Sequence, residues 1–349
     1  MPTLERRVLP GLHAEVSVIG AGCWTIGGPA TNRGVPIGWD AVHPDRAYAG
    51  LVRAHELGVT LYDTADVYGL GRSERLLGRL LREVRRDELV ISSKVGYFAG
   101  TARHPYDPAQ MRRQFATTLD NLATDHLDVY FLHSDDFGDD DQYLASAIDV
   151  MQDLREQGVI RAIGMRAPHT FAEQWATTDH PEAHKTARWL SLFHEIQPDV
   201  ITTRYNLLSP LYADGETDIF AFALSQGVGV LIKQALGQGL FLRSGQRLLA
   251  TFSGNDHRHA DPMFTEENRR LVHARLAPLR ERYGARPADL ARVALRYVLQ
   301  HTPDAAVLVG FRDADQIHTT LTCLGDPLSD DEITEIRALL HHQPTDERE

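Results

Sequence analysis

The feature that most constrains the fold is the alternation of short apolar runs with amphipathic helical patterns along the chain. Each run is continuous and rich in Val, Ile and Leu, as in parallel strands that are buried on both faces. The predicted strands span residues 16–22, 59–63, 88–95, 127–133, 159–165, 200–206, 228–233 and 305–310. Eight such strand–helix units in 349 residues predict a single (β/α)8 TIM barrel over 1–349 rather than a doubly wound sheet.

Composition narrows the class of protein. The chain is 43% hydrophobic and 24% charged, which is ordinary for a globular protein. No apolar run reaches the roughly 20 residues of a membrane span, and the N-terminus has no apolar signal segment. The distant Cys23 and Cys323 indicate a reducing compartment, and we expect a cytoplasmic protein. The net charge of −12 argues against a nucleic-acid partner, although a local basic site for one phosphate remains compatible with it.

Loops are expected to carry substrate specificity, as is usual in barrels. The longest irregular segment, 237–264, follows the seventh strand, and loops of that length are usually functional. The segment 28–40 is predicted to cover the mouth, while the polar tail 341–349 is expected to fray. Two histidine-containing segments, 133–136 and 257–261, lack a complete ligand set, so no metal site is predicted.

Four ionisable side chains fall where predicted strands end. Asp63 ends the second strand, Lys94 lies near the end of the third, His133 ends the fourth, and Tyr68 follows the second by five residues. Because barrel chemistry lies at the C-terminal strand ends, these groups should meet at one rim. A tyrosine pKa of about 10 is high for acid–base work. We expect the lysine ammonium to lower it, the aspartate to orient the lysine, and the histidine to contact the substrate oxygen.

At this point the sequence resembles the aldo-keto reductase superfamily over nearly its whole length. The resemblance rests on ordered motifs at barrel spacing: IGAGCWTIGG (19–28), LYDTADVYGLGRSERLLG (61–78), ISSKVG (91–96), LDVYFLH (127–133) and VGFRDADQI (309–317). It implies a catalytic tetrad of Asp63, Tyr68, Lys94 and His133, with Tyr68 as the general acid for carbonyl reduction. It also implies a nicotinamide cofactor, NADPH with NADH as the alternative, bound extended over the rim. The backbone of Gly22, Cys23 and Trp24 would touch it.

Four places depart from the pattern of the family, three of them at the nicotinamide. Gly164-Met165-Arg166-Ala167 stands where a Ser and an Asn usually hold the nicotinamide carboxamide, Thr202 replaces a Gln, and Lys233 replaces the stacking tyrosine. The late Asn of the adenosine-phosphate motif is replaced by Thr320. Either the cofactor binds through altered contacts that include Arg166, Thr202 and Lys233, or a retained cofactor serves a reaction without net redox change, or only binding remains. We favour the first, since the tetrad is intact.

The remaining site residues each allow two interpretations. Arg312 suits the 2′-phosphate of NADPH or a structural salt bridge, and Gln316 accompanies it in the same motif. Trp24 and Trp39 are expected substrate contacts, although Trp24 equally suits plain packing. Asp135 belongs either to a solvated acidic loop or to an overhang that prefers cationic substrates. Ser73 is the predicted N-cap of the helix at 73–84.

The sequence therefore favours an NADPH-dependent oxidoreductase that reduces an aldehyde or ketone, or oxidises the alcohol. Its partners would be small carbonyl or alcohol substrates, and we expect it to bind neither nucleic acid nor a membrane. Two alternatives remain open: a lyase or isomerase that uses the same tetrad, and a nucleotide-sensing module that has lost turnover.

Overall fold

A closed barrel of eight parallel strands forms the centre of the molecule. The computed structural model describes residues 4–341. The strands, numbered in chain order, are β1 (Arg6–Leu9), β2 (Ala14–Ser17), β3 (Ile19–Gly22), β4 (Thr31–Asn32), β5 (Val35–Pro36), β6 (Leu61–Asp63), β7 (Val90–Val95), β8 (Leu127–Leu132), β9 (Ile160–Arg166), β10 (Val200–Arg204), β11 (Gly229–Lys233) and β12 (Ala305–Gly310). The barrel runs in the order β3-β6-β7-β8-β9-β10-β11-β12 and closes between β12 and β3, so the predicted (β/α)8 fold is confirmed.

Helices connect the strands and cover the barrel. They are α1 (Trp24–Gly27), α2 (Pro44–Glu56), α3 (Arg72–Leu81), α4 (Pro108–Leu122), α5 (Leu144–Glu156), α6 (Ala183–Ile196), α7 (Ile219–Ser225), α8 (Glu266–Arg275), α9 (Ala277–Tyr283), α10 (Pro287–Leu299), α11 (Ala314–Thr322) and α12 (Asp330–His341). Their buried stripes face the outer side of the sheet, as in other barrels of this type. In the described part of the chain, no helix is long and apolar enough to cross a bilayer.

The inside of the barrel is filled by alternating strand residues, because side chains on one face recur every second position. This inner cluster contains Leu61, Val90, Val129, Phe131, Ala162, Val200, Leu231, Ala306 and Leu308. Gly164 belongs to the same layer, where any side chain would overlap the Phe131 ring. The same alternation continues to the C-terminal ends of the strands. It therefore puts four charged side chains on the inner face: Lys94, Arg166, Arg204 and Lys233.

The first predicted strand, 16–22, is wrong in its extent. Residues up to Ser17 belong to β2, which pairs antiparallel with β1, and only Ile19–Gly22 enters the barrel. Ser17 breaks the run because its hydroxyl donates to Ile19 O (2.8 Å) and its N–H donates to Thr60 Oγ1 (2.8 Å). The resulting hairpin packs Leu9, Leu12 and Val16 against the inner cluster and so closes the N-terminal end of the barrel.

The prediction for the start of α3 is wrong, whereas that for the irregular segment 237–264 is confirmed. The helix predicted at 73–84 begins earlier, at Arg72, with Gly71 in the left-handed conformation as its N-cap. Ser73 is not the cap, because its hydroxyl is buried and donates to Cys23 O (2.9 Å). The segment 237–264 is irregular as predicted and consists of four short 3₁₀ turns between loops.

Candidate active site

The buried ion pair between Lys94 and Asp63 lies at the C-terminal ends of β6 and β7. Lys94 Nζ is 2.7 Å from Asp63 Oδ1, and only 4% and 7% of the two side chains are exposed. Asp63 Oδ1 also accepts a hydrogen bond from Ser92 Oγ (2.6 Å), and Lys94 Nζ donates to Thr64 O. Because both charges are paired and hydrogen-bonded, the lysine is held in one orientation despite its burial.

Tyr68 is positioned by the tight loop between β6 and α3. Its N–H donates to Ala65 O (3.1 Å), and its carbonyl accepts from Ser73 N (3.1 Å). The next residue, Gly69, has a φ of +63°, and a side chain there would collide with the carbonyl of Gly27. The close approach of two glycine backbones therefore fixes the phenol next to Lys94, whose Nζ is 4.9 Å from the ring centroid.

The acidity of Tyr68 differs from the expectation. Burial, followed by the negative charge of Asp63, raises the pKa of Tyr68 well above its ordinary value. The expected lowering by Lys94 is not found, because burial and the charge of Asp63 dominate. The phenol is consequently protonated at neutral pH and able to donate.

His133 faces the tyrosine across the rim, with ring centroids 6.1 Å apart. Burial, together with the charges of Lys94, Lys233 and Arg166, holds the pKa of His133 well below its ordinary value, so the ring is neutral. Its Nδ1 is buried and has no hydrogen-bond partner among the described residues. The ring also packs edge-on against Tyr97 at 4.7 Å, a residue that the sequence analysis missed although it follows Lys94 by three positions.

A cavity of about 1120 Å³ opens from these four side chains. This volume accommodates a dinucleotide together with a small molecule, since single-ligand pockets are about 300–1,000 Å³. The predicted site residues that line it are Gly22, Trp24, Trp39, Asp63, Tyr68, Lys94, His133, Arg166, Thr202, Lys233, Arg312 and Gln316.

Two predicted site residues do not line the cavity. Cys23 is buried, its N–H donates to Asp63 O (2.8 Å), and its carbonyl accepts from Ser73, so its backbone is already bonded within the protein. Asp135 is exposed on the loop after β8. Its carbonyl contacts Arg188 (3.5 Å), which pairs with Asp141 on the same loop. Asp135 therefore lies outside the cavity that Tyr68 and His133 line.

The same cavity extends to α10 and α11. Thr319, Thr320 and Gln316 line it from α11, and Arg243 and Arg247 line it from the loop after β11. The two arginines were missed, since they lie in the irregular segment after β11, where no pattern marks a binding residue.

Arg312 has no carboxylate partner within residues 4–341, so of its two interpretations the structural salt bridge is not found. Its guanidinium donates to Asp40 O (3.2 Å) and Ala41 O (3.1 Å), and its N–H donates to Gln316 Oε1 (3.0 Å). These bonds tie the start of α11 to the loop before α2.

Two loops meet over the mouth and form an aromatic wall. His257 N donates to Gly38 O (2.8 Å), and the His257 ring lies 4.5 Å from Trp24 and 4.9 Å from Trp39. The Arg258 guanidinium lies over the Trp39 ring, 4.1 Å from its centroid. Trp39 Nε1 is buried without a partner in the described chain, so a donor is left available beside the cavity. Sequence reasoning missed His257 and Arg258 because their loop carries no motif.

Residues 4–341 contain no cluster of three or more metal-ligating side chains. The residues of the cavity instead fit a nicotinamide dinucleotide: a phenol and a neutral imidazole can contact a reacting group, and arginine, threonine and glutamine side chains can bind phosphates and hydroxyls.

Comparison with known proteins agrees with this geometry. The model of the aldo/keto reductase family matches residues 18–341. An aldo-keto reductase of Bacillus subtilis is 26% identical over 340 residues, covering 95% of this chain and 92% of that protein. An NADH-specific methylglyoxal reductase of Escherichia coli is 25% identical over 342 residues, covering 93% and 94%. The solved structure of a glycerol dehydrogenase from Gluconobacter oxydans has a TM-score of 0.72 and 26% identity, covering 100% of this chain and 99% of that one.

The matched span includes the whole barrel and every residue of the rim described above. With its closed (β/α)8 barrel and its tyrosine, lysine, aspartate and histidine at one mouth, this chain belongs to the aldo-keto reductase family and is an oxidoreductase of the NAD(P)H-dependent type.

Proposed function

We propose that this protein reduces an aldehyde or ketone to an alcohol with NADPH, or catalyses the reverse oxidation, and that Tyr68 is the proton donor. The observation that carries the proposal is the protonated phenol of Tyr68 held beside the paired Lys94 and opposite the neutral ring of His133. A donor, a polarising cation and a hydrogen-bonding imidazole thus share one end of the cavity.

Each member of the tetrad has a distinct task. Tyr68 delivers its proton to the carbonyl oxygen as negative charge develops there. Lys94, fixed by Asp63 at 2.7 Å, stabilises the phenolate that remains. Neutral His133 contacts the carbonyl oxygen and orients it. A nicotinamide, when bound, supplies or accepts the hydride.

The preference for NADPH over NADH rests on three cationic side chains that line the cavity. Arg243 and Arg247 lie in the loop after β11, and Arg312 precedes α11. Arg247 has an exposed guanidinium without a carboxylate partner in the described residues, which suits a 2′-phosphate. Gly22 and Trp24 would contact the cofactor nearer the tetrad, and Thr202 would hold its amide. Trp24 and Trp39 would contact the substrate.

The test is the replacement Tyr68→Phe, which removes the proton donor and keeps the ring. We expect kcat/KM for carbonyl reduction to fall by about 10²–10⁴-fold, while the Kd for NADPH, measured by fluorescence titration, stays within a factor of two or so of wild type. Wild-type turnover in the variant would refute the assignment of Tyr68.

A titration of wild type with NADPH and NADH tests the cofactor. Tighter binding of NADPH, weakened in Arg247→Ala, is the expected result. Equal affinity for the two nucleotides would contradict the role given to the arginines.

A further inference from the structure

Three cationic side chains at the mouth of the barrel form no ion pair with any described residue, and among them the charge of Asp261, which also lines the cavity, acts only on Arg204. Arg166, Arg204 and Lys233 end the neighbouring strands β9, β10 and β11, and the register pairs Arg204 with Lys233 and Thr202 with Arg166. In the part of the chain that the structure describes, none of the three forms an ion pair, and the single side-chain hydrogen bond among them joins Arg166 Nη1 to Tyr97 OH (3.4 Å).

The positive charge of this cluster lowers the pKa values of His169 and Lys233. Burial and the charges of Lys233, Arg204 and Arg166 lower the pKa of His169 to about 3. Burial and the charges of Arg166 and Lys94 lower the pKa of Lys233 to about 7. His169 also has a buried Nε2 without a partner in the described residues. Gathering like charges in a half-buried wall is costly, so it is retained where a ligand compensates it.

The position of Arg166 connects this charge to the reacting carbonyl. Its guanidinium reaches Tyr97, whose ring packs against His133 at 4.7 Å. Arg166, Lys233 and His169 all line the same cavity as Tyr68. A group bound to these cations would consequently lie beside the substrate oxygen that His133 contacts.

We infer that Arg166 and Lys233 form a subsite for an anionic group of the substrate, which is a carboxylate or a phosphate close to the carbonyl. Arg204 adds positive charge from the strand next to Lys233. The inference rests on the proposed function and names its substrate class. For a 2-oxo acid the carbonyl carbon accepts a hydride from the reduced nicotinamide and the oxygen accepts the proton of Tyr68. The products are a 2-hydroxy acid and the oxidised nicotinamide.

This assignment differs from a purely cofactor-binding role for the two residues. The cavity already supplies three other arginines, Arg243, Arg247 and Arg312, for cofactor phosphates. A neutral carboxamide needs no net positive charge, whereas an anion gains charge-assisted hydrogen bonds from a guanidinium fork and an ammonium.

The experiment compares pyruvate with methyl pyruvate, which has the same ketone but no charge. A second pair, dihydroxyacetone phosphate and dihydroxyacetone, distinguishes a phosphate from a carboxylate. The variants are Arg166→Gln and Lys233→Met, with Lys233→Arg to restore the charge. Arg161→Gln is the matched control, since Arg161 is an exposed arginine of the same strand at its other end.

We expect wild type to favour the charged member of one pair, and each neutral variant to lose about 10- to 100-fold in kcat/KM for that compound relative to its neutral partner. Lys233→Arg and Arg161→Gln should keep the wild-type ratio. Quenching of tryptophan fluorescence by the anion in the presence of NADP⁺, where no turnover occurs, should weaken in the same variants.

Two results would overturn the inference: an equal loss for charged and neutral compounds together with weaker NADPH binding, and an unchanged ratio in every folded variant. Failure of the proposed function has a separate signature. In that case wild type reduces none of the carbonyls, yet quenching by the anion still depends on Arg166, which supports the subsite while rejecting the redox reaction.

Discussion

At the scale of single residues, Lys233 is a side chain of the site whose charge changes near neutral pH. The charged or titratable groups around it are Arg166, Lys94, Asp63, Arg204, His133 and His169. Asp63 is the only acid among these groups, and it is paired with Lys94 at 2.7 Å. Burial and the surrounding cations therefore lower the pKa of Lys233 to about 7.

This low pKa predicts a pH dependence for anionic substrates. Lys233 is protonated below pH 7 and loses its charge as the pH rises, so anion binding should weaken above neutrality. We expect the ratio of kcat/KM for pyruvate to that for methyl pyruvate to fall by up to about tenfold between pH 6 and pH 8. The ratio cancels groups, such as Tyr68, that act on both compounds. In Lys233→Arg the ratio should stay constant, and a parallel fall there would assign the titration to another group.

The tetrad was predictable and the cation cluster was only partly so. Asp63, Lys94 and His133 end strands, and barrel geometry brings strand ends together whatever the loops do. Arg166 and Lys233 were recognised as unusual residues of the same rim. That Arg204 joins them depends on the register between β10 and β11, which no local pattern encodes.

At the scale of elements, the strands follow from apolar runs, whereas the two loops over the mouth owe their shape to long-range polar contacts. Asp256 is fully buried and accepts hydrogen bonds from Asp40 N (3.1 Å) and Arg258 Nη2 (2.7 Å). Burial alone would raise the pKa of Asp256, but the hydrogen bonds and charge of Arg258 hold it below its ordinary value. Asp256 is separated from Asp40 by more than two hundred residues, so the sequence gives no sign of this contact.

Asp256→Asn should release these loops from each other. The substitution leaves Arg258 without its buried counter-ion, a change that typically costs about 3–5 kcal/mol locally. We expect faster deuterium exchange in 36–41 and 252–262, with protection of the barrel strands unchanged, and a higher KM because Trp39 loses its support. Asp153→Asn, which breaks an exposed pair with Arg112, should alter none of these. Unchanged exchange in Asp256→Asn would show that the aromatic contacts alone hold the loops.

At the scale of the whole molecule, the two ends of the barrel have separate tasks. Charged side chains occupy the C-terminal mouth, while the β1–β2 hairpin inserts apolar side chains into the opposite end. The inner cluster is continuous between them, so substitutions at the closed end should affect stability without reaching the chemistry.

Leu12 tests this separation, because it is 1% exposed and packs into the inner cluster. Leu12→Ala should lower the free energy of unfolding by about 2–5 kcal/mol, as for other buried leucines, when measured by urea denaturation monitored by circular dichroism. The KM for a carbonyl substrate should remain that of wild type, since the hairpin packs at the closed end of the barrel and Tyr68 lies at the mouth. Val8→Ala is the matched control on the same hairpin: Val8 is 63% exposed, and its loss should change stability by no more than about 0.5 kcal/mol. A raised KM in Leu12→Ala at a temperature where the variant is folded would mean that the barrel transmits changes from its closed end to its mouth.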